Sequence, residues 1–208
     1  MKVKIRRLVQ GVGVNDVDYV VKNFDVIKEL NGKRKLKLTW ACPYYLTWLH
    51  MLERCYSKKY KERYPTYIEC TVCDAWLKLS NFKAWMETQN HEGKHLDKDI
   101  LCPGNKVYSP ETCVFIDHAI NSFVIECNST RGKWPIGASW DKGMGRFKAQ
   151  CRNPFTNVKE TLGYFNCPDK AHHAWLTRKL ELAKLLAEGQ QDTRVAKALI
   201  KRYENYGG

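Results

Sequence analysis

The chain has 208 residues, with 35 Lys and Arg against 22 Asp and Glu, and a formal net charge of +13. A balance this basic favours a polyanionic partner, most simply nucleic acid, although charge alone does not choose between DNA and RNA. The sequence contains no apolar run of about 18 residues and no signal-peptide pattern. We therefore expect a cytoplasmic protein of one large or two small domains that does not bind a membrane.

The nine cysteines are scattered along a chain that we expect to be intracellular, which argues against a disulfide framework. Cys70 and Cys73 form one Cys-x-x-Cys pair, a spacing typical of zinc ligands. A structural Zn²⁺ needs two further ligands, and the candidates are Cys42, Cys55, Cys102 and Cys113. Because no second Cys-x-x-Cys pair occurs, ordinary buried cysteines are the favoured interpretation and a structural zinc is the alternative.

The first part of the chain combines a basic segment with two predicted helices. Residues 1–42 show no strong periodicity, and GKRKLK at 32–37 is typical of a basic hairpin or loop that is solvated or contacts phosphate. Pro43 favours a helix start, and an amphipathic helix is predicted to follow it. A second helix is predicted from Ser80 or Asn81. The aromatic residues in and near this second helix are expected in the core rather than stacked on bases: Trp76, Phe82 and Trp85.

Residues 95–123, HLDKDILCPGNKVYSPETCVFIDHAINSF, predict a strand, a long loop, a second strand and a helix. Cys102-Pro103-Gly104-Asn105 is a loop signal, and the run 113–116 is rich in residues that favour strands. Asp117 is a good helix N-cap, so the helix is expected to begin directly after it.

This arrangement resembles the ββα-metal motif of the HNH endonucleases. The loop Gly104-Asn105-Lys106 and the run 110–113 carry the match, and the wider residues 10–190 are similar to HNH-type proteins of tailed phages and their bacterial hosts. The resemblance implies that Asp97 and Asn121 hold one divalent metal, Mg²⁺ or Mn²⁺, with Asp99 beside them. A hard cation of this kind neutralises charge on a scissile phosphate.

The general base departs from the HNH pattern, because Lys98 stands where the family has His and Thr112 replaces an Asn. A protonated Lys cannot accept a proton, so we expect Lys98 to contact phosphate electrostatically. His95 and His118 are the nearby candidates for the base. His118 and Asn121 are three residues apart and share a face of the predicted helix.

A second unit is predicted over residues 134–188. It comprises strands over 134–140, 146–152 and 160–165, a Gly-rich hairpin turn at 141–145 and a helix from Pro168. In the middle strand the basic and apolar residues alternate, which places them on opposite faces. The residues expected to bind DNA are Trp140 on the first strand and, on the middle strand, Arg146, Lys148, Gln150 and Arg152.

The segments GASWDKGMGRFKAQCR and LGYF, followed by this helix, resemble the plant ethylene-response-factor DNA-binding domain. In that family the sheet lies in the major groove of duplex DNA, and Arg and Trp side chains reach the bases and backbone. An ordinary solvated sheet face is the alternative interpretation.

The sequence therefore predicts an α+β protein with a ββα-metal nuclease motif in an N-terminal helical or irregular domain and a three-stranded antiparallel sheet with one helix. The expected divisions are a basic segment at 1–42, a nuclease domain at 43–130, a DNA-binding domain at 134–188 and a C-terminal helix at 190–208. The predicted function is that of a metal-dependent endonuclease, of phage or homing type, that cuts or nicks double-stranded DNA. The alternative is a DNA-binding regulatory protein whose nuclease centre is inert.

Overall fold

The computed structural model describes residues 7–30, 33–125 and 132–206. The chain divides into two compact units, Met1–Phe115 and Ile116–Gly208, and helices and small sheets occur in both. We expected the division between residues 130 and 134. Because it falls at 115/116 instead, the helix that begins at His118 belongs to the second unit rather than to the first.

The first unit opens with a two-stranded antiparallel ribbon, β1 (Lys22–Leu30) and β2 (Lys33–Ala41). The hairpin interpretation of the basic segment is therefore confirmed, although the residues that connect the two strands lie outside the described ranges. Phe24 lies opposite Leu38, and Val26 lies opposite Leu36. These four side chains remain about half exposed. The ribbon is thus amphipathic, with its apolar side chains uncovered.

Among the described residues of the first unit, three helices and two 3-10 turns surround the core. The helix predicted from Pro43 is confirmed, and the second predicted helix begins at Leu79, one residue before the expected start. The core contains the fully buried residues Trp48 and Phe82, and the indole N–H of Trp48 donates to the Trp76 carbonyl at 2.7 Å. The elements are α1 (Pro43–Tyr56), α2 (Lys58–Arg63), the turns Pro65–Tyr67 and Asp74–Leu77, and α3 (Leu79–Glu87).

Short strands follow α3. β4 (His95–Asp97) pairs with β6 (Val114–Ile116), and β3 (Thr71–Val72) runs parallel to β5 (Val107–Tyr108). The predicted order of strand, loop and strand is confirmed, and the predicted helix follows as α4 (His118–Val124).

The second unit contains the antiparallel sheet β7–β8–β9 with β8 in the centre. β8 and the helix from Pro168 are confirmed, but the first strand begins four residues later than predicted. The reason is a turn in which the Ala138 amide donates to the Pro135 carbonyl at 3.1 Å. The elements are β7 (Ala138–Asp141), β8 (Arg146–Arg152), β9 (Lys159–Phe165), α5 (Pro168–Glu188) and α6 (Thr193–Glu204).

Helix α5 covers one face of this sheet. Phe147 and Ala149 of β8 pack with Ala171 of α5 in a small core. At its margin, Arg178 donates to Glu160 of β9 at 2.8 Å from Nε and at 3.2 Å from Nη2. The other face of the sheet is therefore the open one.

The C-terminal helix α6 docks on the second unit. It packs against α5, and the Tyr203 hydroxyl donates to the Phe123 carbonyl at the end of α4. Arg202 Nη2 donates to the adjacent Val124 carbonyl at 3.2 Å. The helix is therefore docked on the body of the second unit.

Candidate nucleic-acid interface

Strand β8 separates basic from apolar side chains as the sequence predicts. Phe147, Ala149 and Cys151 are buried towards α5. The alternate residues point to the open face, because successive side chains in a strand lie on opposite sides of a sheet. The open face therefore carries Arg146, Lys148, Gln150 and Arg152.

The neighbouring strands extend this surface with residues that sequence reasoning did not identify. Ser139 and Tyr164 lie opposite Lys148 on either side, Thr161 lies opposite Gln150, and Lys159 lies opposite Arg152. Directly opposed residues share a face of a sheet. Only the strand register reveals these partners, and a register shift between Ala149 and Gln150 makes counting along β9 misleading. Asp141 lies opposite Arg146 and shares this face. We call the combined surface the polar face: Ser139, Asp141, Arg146, Lys148, Gln150, Arg152, Lys159, Thr161 and Tyr164.

Trp140 does not belong to the polar face, which corrects our expectation. It lies opposite Phe147, and their rings meet edge to face with centroids 4.9 Å apart. Trp140 is therefore on the α5 side of the sheet, at the edge of the core, although it remains 47% exposed. The face on which Trp140 lies could not be predicted from sequence, because β7 begins four residues later than expected.

Arg152 is the last residue of β8 and lies at the end of the polar face, next to the turn between β8 and β9. Its Nη1 donates to the Asn157 carbonyl at 2.9 Å and to the Asn157 side-chain oxygen at 2.8 Å. Both bonds use the same nitrogen, and a guanidinium carries five N–H donors. Arg152 can therefore stabilise this turn and still contact an anion.

Lys98 of the first unit is buried, with 5% of its surface exposed. Its ammonium donates to Asp99 Oδ1 at 2.6 Å and to the Asn105 carbonyl at 2.7 Å. The side-chain Nδ2 of Asn105 in turn donates to the Lys98 carbonyl at 3.0 Å. The charge of Lys98 is therefore used to close the loop that follows β4, and its contact with phosphate stays a prediction.

The carboxylates of this region have different surroundings. Asp97 Oδ1 accepts from the amides of Asp99 at 2.8 Å and Ile100 at 2.7 Å, and burial raises the pKa of Asp97 despite these two bonds. The second carboxylate oxygen of Asp97 takes part in neither of these two bonds and is of the type that binds Mg²⁺. Asp99 fits that role poorly, because the Lys98 ammonium already neutralises it. The Thr112 hydroxyl donates to the Val107 carbonyl at 2.8 Å, so Thr112 holds the loop backbone.

The remaining predicted site residues are split between the two units. His95 lies exposed on β4 in the first unit, whereas His118 and Asn121 lie on α4 in the second. His118 Nδ1 is 3.5 Å from the Ser122 hydroxyl. Within the described ranges, no group of three or more His, Cys, Asp or Glu side chains is arranged to hold a metal ion.

The predicted zinc pair lies near the core of the first unit. Cys70 is fully buried, and its thiol donates to the Thr66 carbonyl at 3.7 Å. Burial raises the pKa of the Cys73 thiol above its ordinary value. Both cysteines are free thiols in this structure, and a structural zinc at this pair stays a prediction.

Among the described residues, no helix has the length and apolar character needed to cross a membrane.

Comparison with known proteins finds similarity to ethylene-responsive transcription factors of Arabidopsis thaliana. The chain is 26% identical to ERF119 over 160 residues, which are 77% of this chain and 45% of that protein. It is 35% identical to ERF116 over 57 residues, 27% of this chain and 20% of that protein. The chain thus spans less than half of the length of the curated relatives it matches.

No family model matches the chain, and no solved structure matches it. The resemblance to ethylene-response factors is confirmed as a weak similarity to proteins of that name. The nuclease, metal and phage interpretations gain no support from these comparisons and remain predictions.

Proposed function

We propose that this protein binds double-stranded DNA through the polar face of β7–β9. The observation that carries the proposal is the placement of three cationic side chains of β8, Arg146, Lys148 and Arg152, on the face that α5 leaves open. The similarity to two proteins named as transcription factors supports the same function.

The composition of the polar face suits the edges and backbone of a duplex. The major groove of B-DNA admits a two-stranded ribbon, and Arg and Gln form bidentate contacts with guanine and adenine there. Lys148 and Lys159 suit phosphate contacts, which carry affinity rather than sequence information. The Asp141 carboxylate at the margin accepts from the Met144 amide at 3.0 Å and serves the hairpin turn.

The test compares two double variants of the full chain. Arg146→Ala with Lys148→Ala removes two cations from the polar face. Lys170→Ala with Lys184→Ala removes two exposed cations from α5, which packs on the opposite face of the sheet, and so changes net charge equally. Binding to random-sequence duplex DNA is measured by fluorescence anisotropy over a series of salt concentrations.

We expect the polar-face variant to weaken binding strongly and to lower the slope of log affinity against log salt by about one to two units, because each lost phosphate contact removes about one. The α5 variant should change both quantities little. Equal effects of the two double variants would show that net charge alone, and not the polar face, is responsible.

A second candidate function is metal-dependent cleavage of the bound DNA. The observation that favours it is the order β4, loop, β6 and α4, which follows the HNH arrangement, together with the second oxygen of Asp97. By resemblance, Asp97 would be one ligand of Mg²⁺ or Mn²⁺, which would stabilise charge on the scissile phosphate. In the same unit the candidate base is His95, since the ammonium of Lys98 is bonded within the loop.

Cleavage is tested on supercoiled plasmid with Mg²⁺ or Mn²⁺. An active centre should relax the plasmid, and Asp97→Asn, which keeps the shape and the bonds to the two amides, should abolish relaxation without loss of DNA affinity. If Asp97→Asn relaxes the plasmid at the normal rate, Asp97 is not a ligand of the catalytic metal. Binding without any relaxation supports the inert DNA-binding alternative.

A further inference from the structure

The second unit contains a pocket of about 280 Å³ between α4, α5 and the turn after β8. We call it the α4 pocket. Its polar lining consists of His118, Ser122, Arg152, Asn157 and Lys179, and Phe123 is part of its apolar wall. The described lining contains no carboxylate, so the pocket favours an anion over a cation.

The cationic groups of the α4 pocket are held by the fold. Lys179 Nζ donates to the Phe123 carbonyl at 2.6 Å and lies 3.6 Å from the centroid of the Phe123 ring. The guanidinium of Arg152 is fixed by its two bonds to Asn157. Ordering these long side chains in advance lowers the entropy that a ligand must offset.

Several donors of different kinds meet in the α4 pocket. A guanidinium, an ammonium, an imidazole, a hydroxyl and an amide can together satisfy the several acceptor oxygens of a phosphate group, and Arg presents a fork that matches phosphate geometry. A volume of about 280 Å³ is enough for one phosphate group with its attached sugar.

We propose that the α4 pocket binds a phosphate group, and that its source is the backbone of the DNA bound on the polar face. Arg152 belongs to both surfaces, so a strand that leaves the polar face at the end of β8 meets the pocket next. The phosphate site rests on the pocket itself, whereas its assignment to DNA rests on the proposed function.

The experiment uses the full chain labelled with ¹⁵N and follows side-chain and amide signals by NMR. Inorganic phosphate and deoxyadenosine monophosphate are the free probes. His118→Glu places a carboxylate in the pocket, and His173→Glu makes the same change on the exposed surface of α5 outside the pocket.

We expect saturable shifts of His118 and Ser122 signals with both free probes and at least a tenfold loss of affinity in His118→Glu, with little change in His173→Glu. Shifts of equal size at His118 and His173, or no saturable shift at either, would overturn the phosphate site. A fold check by the remaining amide signals separates loss of binding from unfolding, and Ser122→Ala, a smaller change, should still weaken phosphate binding.

Duplex DNA distinguishes the two sources of phosphate. If the backbone occupies the pocket, duplex displaces inorganic phosphate, and His118→Glu lowers the salt slope of duplex binding by about one unit more than His173→Glu does. Simultaneous binding of duplex and inorganic phosphate would overturn the assignment to DNA and leave a site for a free phosphate compound. The Arg146 and Lys148 double variant tests the polar face separately, so failure of that surface is distinguishable from failure of the pocket.

Discussion

Gly137 controls how the sheet of the second unit joins its helix. The residue precedes β7 and has a φ of +83°, and a Cβ built on it would collide with Cβ, Cγ and Cδ1 of Trp175 on α5. Trp175 is 4% exposed and cannot move away without opening the core. Gly137→Ala therefore combines an unfavourable backbone conformation with overpacking.

The matched control is Gly145→Ala in the turn between β7 and β8. Gly145 also has a positive φ, +60°, but a Cβ there would meet nothing within 4 Å. An L side chain in this region costs about 1–2 kcal/mol, which is the whole expected effect of Gly145→Ala. Overpacking a core adds about 1–3 kcal/mol, so Gly137→Ala should cost roughly 2–5 kcal/mol.

Hydrogen exchange read by mass spectrometry is the suitable assay, because peptides from β8 and α5 report the opening free energy of the second unit alone. We expect faster exchange in these peptides for Gly137→Ala than for Gly145→Ala, with peptides of α1 unchanged in both. Equal losses in the two variants would refute the steric argument, since only Gly137 has Trp175 above it.

Three further predictions concern polar groups that hold the fold. Asp97→Ala should cost about 1–3 kcal/mol, because two amides lose their acceptor, whereas Asp97→Asn keeps the acceptor and most of the stability in urea unfolding. Lys98→Ala should accelerate hydrogen exchange in residues 99–107, since Asp99 and the Asn105 carbonyl lose their shared donor; unchanged exchange would mean that this loop does not depend on the ammonium. The bond from Arg178, followed by that from Asn153, lowers the pKa of Glu160. Its contribution is therefore present above the ordinary value of 4.5 and is lost as pH falls through the lower folded value. Glu160→Gln should remove this acid-side dependence at a cost of at most about 1 kcal/mol, since the pair is part-exposed. A stability profile between pH 2 and pH 6 that is the same in both proteins would contradict the assignment.

Local sequence patterns predicted those features that depend on a single strand or helix. The alternation from Arg146 to Arg152 requires only the two-residue period of a strand, so the basic and apolar faces of β8 follow from sequence. Pro43 and Pro168 mark helix starts because proline has no backbone N–H, and an N–H in the first helical turn has no partner within the helix. Trp76 and Phe82 were assigned to the core on hydrophobicity, and both are buried.

The sequence did not predict how neighbouring strands are aligned with one another. Trp140 was assigned to the wrong face because its partner, Phe147, is defined by strand register rather than by residue type. The contributions of Ser139, Thr161 and Tyr164 to the polar face depend on the same register and on the irregularity in β8–β9. Strand register depends on the conformation of the connecting turn, and the residues at 141–145 did not define that conformation by type alone.

The charge, the α+β class, most helix starts and the basic strand follow from the amino-acid sequence, because they depend on composition and on periods of a few residues. The contacts of individual polar groups depend on the folded chain. Lys98 reads as an available cation in sequence, yet burial and two hydrogen bonds commit its charge to the loop. His118, Arg152 and Lys179 are up to 61 positions apart, from 118 to 179, and line one pocket only because α4, α5 and the end of β8 converge there. The energy of a charged side chain depends on its neighbours and its access to water, and both are properties of the folded chain.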